Sequence, residues 1–282
     1  MSLPHAWHGD GAEPLVLIAG LGAKGTSWQP FLERAARSHR VLTFDNRGSG
    51  QAPPLDKDAS VADLAGEALD LLDAQGVERA ALVGRSMGGM IAQEMALRAP
   101  ERVSKLVLVS TTGRADPHLA EVFLTWARLA EAGVAPDLRH RASLLWCLGS
   151  ASLAADGGRD GPARRYLAAR ARTDRPLDYA RQARACAQHD ALDRLGALRC
   201  PTLVVAGDDD RLTPPHHADA LAAAIPGSRR ATIHGAGHLA YLEAPADFAA
   251  EVLGFLSQPG EAGDERSEEG DTRTCPGAST PW

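Results

Sequence analysis

A serine with a glycine two residues away on either side constrains this chain more than any other feature. Residues 80–89 are AALVGRSMGG, in which Ser86 stands between Gly84 and Gly88. The apolar residues before the motif are typical of a buried strand, and apolar residues at helical spacing follow it. A strand that turns this sharply into a helix strains the backbone at the serine and leaves no room for side chains at the two glycines. The stretch therefore predicts strand, tight turn and helix.

The helix that follows Ser86 predicts an electrostatic role for the turn. Helix N-termini present backbone N–H groups and the positive end of the helix dipole, which stabilise negative charge. The motif thus favours a nucleophilic serine, with a glycine-rich turn that carries an ordinary serine as the alternative. A nucleophilic serine requires a base and a carboxylate elsewhere in the chain, so those residues decide between the two.

Five further apolar runs predict an α/β protein with a mostly parallel sheet. They alternate with helical patterns, which places helices on both faces of the sheet. One of these helices is expected from Ser27 to about Ser38, and another from Val61 to Gln75. The apolar runs lie at residues 14–20, 40–45, 105–110, 201–207 and 230–233.

The alternation of strands and helices stops after Thr112. Residues 113–198 contain no convincing buried strand, and we predict that they form a helical cap inserted into a core made of residues 1–112 and 199–257. Residues 258–282 are acidic and rich in Gly, Pro, Ser and Thr, so we predict a disordered tail. The tail holds −4 of the net charge of −6, which leaves the rest of the chain nearly neutral.

Two clusters downstream of Ser86 supply candidate partners for it. Three adjacent aspartates, Asp208–Asp210, follow one of the apolar runs, and any of them could orient a base. His234 and His238 follow the last run. Glycines around His238 place it on a loop that can reach back over the sheet, so we favour it as the base. His234 lies at the end of the strand, where a structural role is expected.

Together these residues resemble the α/β-hydrolase superfamily over residues 14–256. In that family the acid usually lies three residues past a strand-ending glycine, which implies Asp210. The same match implies Ser86 as the nucleophile and His238 as the base. Residues 45–50, DNRGSG, are similar to the D-x-R-G-x-G turn that braces the active-site side in this family.

The resemblance also implies two backbone donors for the oxyanion of the reaction. One is the Met87 N–H, immediately after the nucleophile, and the other is the Leu21 N–H in the loop after the first buried strand. The family usually carries a histidine where this chain has Ala19. Because the donors are backbone groups, we expect the oxyanion hole to tolerate Ala19 in place of the histidine. Which residue then holds the loop in position is left open. Arg85, beside the nucleophile, is expected to pair with a carboxylate behind the turn.

Substrate contacts are expected from aromatic residues of the cap and of the region after the first strand. The candidates are Trp28, Trp126 and Trp146, with packing between helices as the alternative for each cap residue. The cap carries more arginines than acids, which favours either an anionic substrate or a solvated helix face. The motif at Ser86 is most similar to the 3-oxoadipate enol-lactonase branch, which also holds small-molecule esterases.

The resemblance implies a serine hydrolase that cleaves a small-molecule ester or lactone with a Ser-His-Asp triad and needs no cofactor and no metal. Thioester hydrolysis, C–C bond cleavage, cofactor-free haloperoxidase chemistry and a catalytically silent binding protein stay open as alternatives. The nearly neutral body argues against a nucleic-acid partner, and no apolar run approaches the roughly 20 residues of a membrane span. No signal peptide is visible and the four cysteines lack metal-type spacing, so we expect a cytoplasmic protein. The oligomeric state stays open.

Overall fold

The computed structural model describes residues 3–55, 58–155, 161–170 and 175–258, which hold one seven-stranded sheet. Its strands are β1 (His5–His8), β2 (Pro14–Ile18), β3 (Arg40–Phe44), β4 (Ala80–Arg85), β5 (Val103–Val109), β6 (Thr202–Gly207) and β7 (Arg229–Ile233). They lie in the order β1-β3-β2-β4-β5-β6-β7. The first strand pairs antiparallel with β3, and every other pairing in this sheet is parallel.

Strand β4 lies in the middle of the sheet and is covered on both faces. All six of its residues are buried, and β2 and β5 pair with it in parallel on either side. Residues 15–18 and 106–109, in those two neighbours, are buried as well. Strands that are apolar on both faces need a layer of structure above and below the sheet. The predicted α/β architecture is therefore confirmed.

Eleven α-helices surround the sheet within the described residues. Proline, whose fixed φ suits the first helical position, is the first residue of six of them. Ser60 and Asp63 form a capping box at the start of another, the helix Val61–Ala74. The helices are α1 (Phe31–Ala35), α2 (Val61–Ala74), α3 (Met87–Arg98), α4 (Pro117–Glu131), α5 (Pro136–Cys147), α6 (Ser150–Ala154), α7 (Pro162–Arg170), α8 (Pro176–Gln188), α9 (Pro215–Ala224), α10 (Ala240–Glu243) and α11 (Pro245–Leu256).

The helix predicted from Ser27 to about Ser38 consists of two shorter pieces. Gly25–Trp28 is a single 3-10 turn, and α1 follows it. Pro30 lies between the two and has no N–H to donate, so one continuous helical ladder cannot pass through it.

Residues 113–198, here called the insertion, leave the sheet after β5 and return to it before β6. Where the insertion is described it contains the helices α4 to α8 and an isolated bridge between Arg114 and Asp190, but no strand. The bridge and a hydrogen bond from the Ala191 N–H to the Gly113 carbonyl (2.7 Å) hold its two ends together. This arrangement is consistent with the predicted division into a core and a helical cap, which stays a prediction.

Two further predictions concern the chain as a whole. Of the predicted tail, only Gln258 lies among the described residues, so its predicted disorder lies outside them. In the described ranges, no helix combines the length and the apolar character needed to cross a bilayer.

Candidate active site

The backbone at Ser86 adopts the strained conformation that the motif predicts. Its φ is 56° and its ψ is −122°, between the end of β4 and the start of α3. The Ser86 N–H donates to the Val109 carbonyl (3.0 Å), and the Ser86 carbonyl accepts from the N–H groups of Gly89 (2.8 Å) and Met90 (3.1 Å) and from Thr111 Oγ1 (2.7 Å). A non-glycine residue at positive φ costs on the order of 1–3 kcal/mol. These bonds from β5, from Thr111 after it and from α3 hold Ser86 there.

The glycines on either side of Ser86 are required by close backbone contacts. A Cβ at Gly84 would lie 2.2 Å from the Gly88 carbonyl oxygen, and a Cβ at Gly88 would lie 2.1 Å from the Ile18 carbonyl oxygen. Both distances fall far inside van der Waals contact. The helix α3 therefore crosses β2 and β4 so closely that only glycine fits at these two positions.

Asp210 and His238 lie side by side at the carboxyl ends of β6 and β7. Asp210 Oδ2 is 2.9 Å from His238 Nδ1, and both side chains are buried. Asp210 Oδ1 accepts from the N–H groups of Leu212 and Thr213, each at 2.9 Å, and Oδ2 also accepts from Thr213 Oγ1 at 2.8 Å. A carboxylate with this many donors can only accept from the histidine, so His238 carries its proton on Nδ1. The lone pair is then on Nε2, which is buried and has no hydrogen-bond partner in the described part of the chain.

The other two aspartates of the cluster have different partners. Asp208 Oδ2 pairs with Nδ1 of His234 at 2.9 Å, and the hydrogen bond from that histidine holds the pKa of Asp208 below its ordinary value. The His234 side chain is 87% exposed. Asp209 accepts from the Ser150 N–H and lies 3.6 Å from Arg211. The fold thus separates three adjacent aspartates and brings only Asp210 to His238.

Ser86 and His238 line the same small cavity. Its volume is about 20 Å³, and Leu21, Phe123 and Trp126 are among the residues around it. A second cavity of about 380 Å³ shares Arg85 and Tyr166 with the first as lining residues. The nucleophile and base candidates therefore line the smaller cavity, and the cavity beside it is large enough for a small molecule.

The loop after β2 is held by side chains in place of the histidine that the family usually has. Asn46 Nδ2 donates to the Ala19 carbonyl at 2.9 Å, and the Gly22 N–H donates to Gln182 Oε1 at 2.9 Å. Leu21 lies between these two supports and lines the cavity at Ser86. Met87 is the first residue of α3, where helical N–H groups have no partner within the helix. The supports for the loop were missed by the sequence analysis because Gln182 lies 160 residues from Gly22 along the chain.

The three predicted tryptophan contacts differ in their placement. Trp126 lines the cavity at Ser86. Trp28 is only 1% exposed and packs against Phe31 and Tyr241, with ring centroids 5.9 and 5.2 Å away, so it is a core residue and not a lining residue of this cavity. Trp146 is half-buried and lies 5.6 Å from the ring of His118. Of the three, only Trp126 faces the candidate nucleophile.

The prediction that Arg85 pairs with a carboxylate behind the turn is wrong. Arg85 is buried, and among the residues that the structure describes no carboxylate forms an ion pair with it. Its guanidinium carbon lies 5.3 Å from the centre of the Tyr241 ring. The side chain faces the two cavities instead, which the motif alone could not indicate.

Known proteins resemble this chain in sequence and in structure. The chain matches the family described as alpha/beta hydrolase fold over residues 13–245. It is 33% identical over 252 residues to the "Putative carbamate hydrolase RutD" of Pseudomonas savastanoi pv. phaseolicola, which covers 89% of this chain and 95% of the relative. The structure matches a hydrolase from Pseudomonas aeruginosa PA01 with a TM-score of 0.82 and 29% identity, over 90% of this chain and 94% of that one. It matches the enol-lactonase from Burkholderia xenovorans LB400 with a TM-score of 0.83 and 25% identity, over 91% and 96% of the two chains.

Proposed function

This chain belongs to the α/β-hydrolase family, and from that premise we propose that it is a serine hydrolase that cleaves a small-molecule ester or lactone. The observation that carries the proposal is the pair of Asp210 and His238, whose free Nε2 lines one cavity with the strained Ser86. A nucleophile, a base and a carboxylate that orients the base are what acyl transfer through a serine requires.

The proposed reaction has two steps that use the same residues. His238 Nε2 takes the proton of Ser86 Oγ as this oxygen attacks the substrate carbonyl, and the N–H groups of Leu21 and Met87 stabilise the oxyanion. The bond to the leaving oxygen then breaks, and His238 gives the proton to that oxygen. Water, deprotonated by His238, attacks the acyl-serine, and the acid is released as Ser86 regains its proton. Asp210 stays ionised and holds the imidazole in the required tautomer.

Carbamate hydrolysis is a second candidate because of the relatives that the chain matches. The relative from Pseudomonas savastanoi, 33% identical, is named as a carbamate hydrolase. A carbamate carbonyl passes through the same tetrahedral oxyanion, so the same residues serve both reactions. Substrate identity then depends on the cavity and not on the triad.

The nucleophile can be tested with a fluorophosphonate probe and short p-nitrophenyl esters. We expect wild-type protein to be labelled, and Ser86→Ala to lose labelling and to lose ester hydrolysis by a factor of about 10⁴ or more. Ser257→Ala, at an exposed position after α11, is the control and keeps both. Folded wild-type protein that is neither labelled nor active on esters, lactones and carbamates would favour the binding-protein alternative.

The acid can be tested with two matched substitutions in the aspartate cluster. Asp210→Asn removes the acceptor that fixes the tautomer of His238, so kcat falls by about 10⁴-fold. Asp208→Asn changes a neighbouring carboxylate that pairs with the exposed His234, and kcat stays within about twofold of wild type. Equal losses in the two variants would contradict the assignment of Asp210.

A further inference from the structure

Arg85 brings an unpaired positive charge into the protein interior beside the candidate nucleophile. The residue is 5% exposed, and its Nε is buried with no hydrogen-bond partner in the described part of the chain. A buried charge is costly unless another group pairs with it or hydrogen-bonds to it. The contact with the Tyr241 ring, at 5.3 Å, contributes only a cation–π attraction. Among the residues that the structure describes, no negatively charged group therefore pairs with Arg85.

The cavity of about 380 Å³ is lined by three positively charged residues. Lys24, Arg85 and Arg165 line it, and its lining residues include no aspartate or glutamate. Arg165 is exposed, Lys24 is half-buried and Arg85 is buried, and Arg85 is the one that also lines the cavity at Ser86. A cleft lined by charges of one sign attracts ligands of the opposite sign. Its volume of about 380 Å³ suits a small molecule.

We propose that Arg85 binds a carboxylate of the substrate, so that the preferred substrates are small esters or lactones that carry a second, anionic group. This inference rests on the proposed function. The guanidinium offers two parallel N–H donors that match the two oxygens of a carboxylate. Because Arg85 and Ser86 are adjacent and line the same small cavity, an anchored carboxylate fixes the distance from the anionic group to the scissile carbonyl. Neutral esters of the same length lack this anchor.

The experiment compares two esters that differ only in charge. One is p-nitrophenyl hemisuccinate and the other is the same ester with its free carboxylate methylated. We expect wild-type protein to prefer the anionic ester in kcat/KM, and Arg85→Gln to lower the ratio of the two kcat/KM values by about 10²-fold. Arg85→Lys keeps the charge without the paired donors and lowers the ratio by about tenfold. The control is Arg128→Gln, at an exposed position that pairs with Glu121, and it keeps the wild-type ratio.

The ratio of the two kcat/KM values is measured on one preparation of each protein. A smaller folded fraction lowers both values by the same factor and therefore leaves their ratio unchanged. A wild-type ratio of one or less, or a ratio that Arg85→Gln leaves unchanged, overturns the role of Arg85 while ester hydrolysis by Ser86 stands. The anchor is also tested without catalysis, by calorimetric binding of succinate to Ser86→Ala with and without Arg85→Gln. If succinate binds only when Arg85 is present, the carboxylate anchor is supported even where neither ester is hydrolysed. A failure of the proposed hydrolase function can thus be told apart from a failure of the anchor.

A second cluster, away from the cavity at Ser86, carries an independent inference. Asp116 precedes α4, and His216 and His217 lie in the first turn of α9, so only the fold brings them together. Asp116 Oδ2 lies 3.3 Å from Nε2 of His216 and 3.5 Å from Nε2 of His217. One ligand atom from each of the three residues lies within 4.8 Å of the others. No metal site was predicted from the sequence, because the cysteines lack metal-type spacing and Asp116 lies 100 residues from His216 along the chain.

The hydrogen bonds around His217 fix where its proton lies. Thr112 Oγ1 gives its only proton to the Arg114 carbonyl at 2.5 Å, so it must accept from His217 Nδ1 at 3.0 Å. The lone pair of His217 is then on Nε2 and faces Asp116 Oδ2. The other oxygen of Asp116 accepts from the Leu119 N–H at 2.8 Å. Two acceptors thus face each other at this point, which a cation between them would resolve.

We infer that Asp116, His216 and His217 bind a divalent first-row metal such as Zn²⁺. Two imidazole nitrogens and a carboxylate oxygen are common zinc ligands, and tetrahedral bonds of about 2.0–2.1 Å separate neighbouring ligand atoms by about 3.3–3.4 Å. The observed separations from the carboxylate oxygen, 3.3 and 3.5 Å, match this value. Thr112 provides the second hydrogen bond that metal-binding histidines usually make. The ion would join α4 of the insertion to α9 of the core.

The untagged, full-length chain can be titrated with Co²⁺ and with Zn²⁺. We expect one tightly bound ion, the visible absorption of tetrahedral Co²⁺, and a rise in Tm of about 5 °C at a hundredfold excess of Zn²⁺ over its Kd. We expect Asp116→Asn and His216→Gln each to weaken metal binding by about 10²-fold or more. The asparagine can still accept the hydrogen bond from the Leu119 N–H at the start of α4, and His216 lies at an exposed position. His234→Gln, from the exposed pair with Asp208, is the control and leaves binding unchanged. No stoichiometric binding, or binding that both variants retain, overturns the site.

Discussion

At the scale of single residues, Gly88 and Gly254 carry the same side chain for different reasons. Both lie inside helices, α3 and α11. A Cβ at Gly88 would meet the Ile18 carbonyl oxygen at 2.1 Å, whereas a Cβ at Gly254 would have nothing within 4 Å. The first glycine is required by the approach of backbone to backbone, and the second only weakens its helix.

The same substitution at these two glycines should therefore change stability in opposite directions. Gly88→Ala forces α3 away from β2, and we expect it to lower the free energy of unfolding by about 3 kcal/mol or more. Gly254→Ala should raise the free energy of unfolding by about 0.5–1 kcal/mol. Urea unfolding of both variants measures the two effects, and a Gly88→Ala protein as stable as wild type would contradict the close packing at Ser86.

His189 is a buried histidine that makes stability depend on pH. Burial lowers its pKa to about 4 from an ordinary 6.5, against the opposing effect of Glu94 3.8 Å away. In the unfolded chain His189 becomes protonated below an ordinary pKa of 6.5. In the folded protein it becomes protonated only near pH 4. Unfolding is therefore favoured as the pH falls through this interval, and the stability present above pH 6.5 is progressively lost.

From pH 7 to pH 5 we expect His189 to account for a loss of about 2 kcal/mol in the free energy of unfolding. His189→Gln removes the titrating group, so the loss for this variant should be smaller by that amount. Urea unfolding at both pH values measures the difference. His234→Gln, at an exposed position, serves as the control and should lose as much as wild type. Equal losses in wild type and His189→Gln would show that the folded protein accepts the proton.

The roles of single residues could be predicted where a short sequence motif indicates them. They could not be predicted where a contact depends on residues that only the fold brings together. The serine, its glycines and the loop histidine follow from local patterns, because a turn or a strand end determines their conformation. The choice among three adjacent aspartates needed the family resemblance, since each of them follows the same strand. The unpaired charge of Arg85 could not be predicted at all, because its surroundings come from Tyr241, Tyr166 and other residues distant in the chain.

At the scale of elements, α8 positions the loop that carries a proposed oxyanion donor. Gln182 of α8 is fully buried and accepts from the Gly22 N–H at 2.9 Å. Its Nε2 donates to the Arg47 carbonyl at 2.6 Å and to Ser49 Oγ at 3.0 Å. One side chain of the insertion therefore ties together the loops after β2 and β3. Six of the seven strands were predictable as apolar runs, whereas β1 (His5–His8) has no such run and was not predicted. The connection that Gln182 makes between elements was not predictable either.

Removing this connection should affect the rate more than substrate binding. Gln182→Met keeps the size of the side chain but loses its hydrogen bonds, so the loop at Leu21 shifts and kcat falls by about 10–10²-fold, with KM within about threefold of wild type. Gln188→Met, at an exposed position of the same helix, is the matched control and keeps both constants. A change in KM alone would indicate that Gln182 shapes the cavity and does not position the loop.

At the scale of the whole molecule, the insertion is closed at its base and fastened to the core. The bridge between Arg114 and Asp190 joins its ends, and Arg194 pairs with the buried Glu94 of α3 at 2.5 Å. The sequence predicted an interruption of the α/β pattern here, because buried strands are absent from it. How these helices pack around the cavity at Ser86 depends on contacts between segments that are distant in the chain. The local periodicity of hydrophobic residues does not predict such contacts.

Lys105, a buried residue of β5, contacts the C-terminal end of α11. Its Nζ donates to the carbonyls of Leu256 (2.5 Å) and Gln258, and thus caps the C-terminus of α11. The Phe255 carbonyl is a third acceptor at 3.5 Å, and a positive charge at a helix C-terminus is favourable in itself. The last contact of this kind in the described residues is at Gln258.

A chain that ends after Gln258 should therefore unfold at the same Tm as the full-length protein, within about 2 °C. A chain that ends after Leu253 loses the buried Phe255 and Leu256 and leaves Lys105 without its acceptors, so we expect Tm to fall by about 10 °C or more. Thermal unfolding and ester hydrolysis of the three chains measure this. If the longer truncated chain is as stable as wild type but altered in activity, residues 259–282 have a regulatory role; if it is less stable, they contribute to the folded structure.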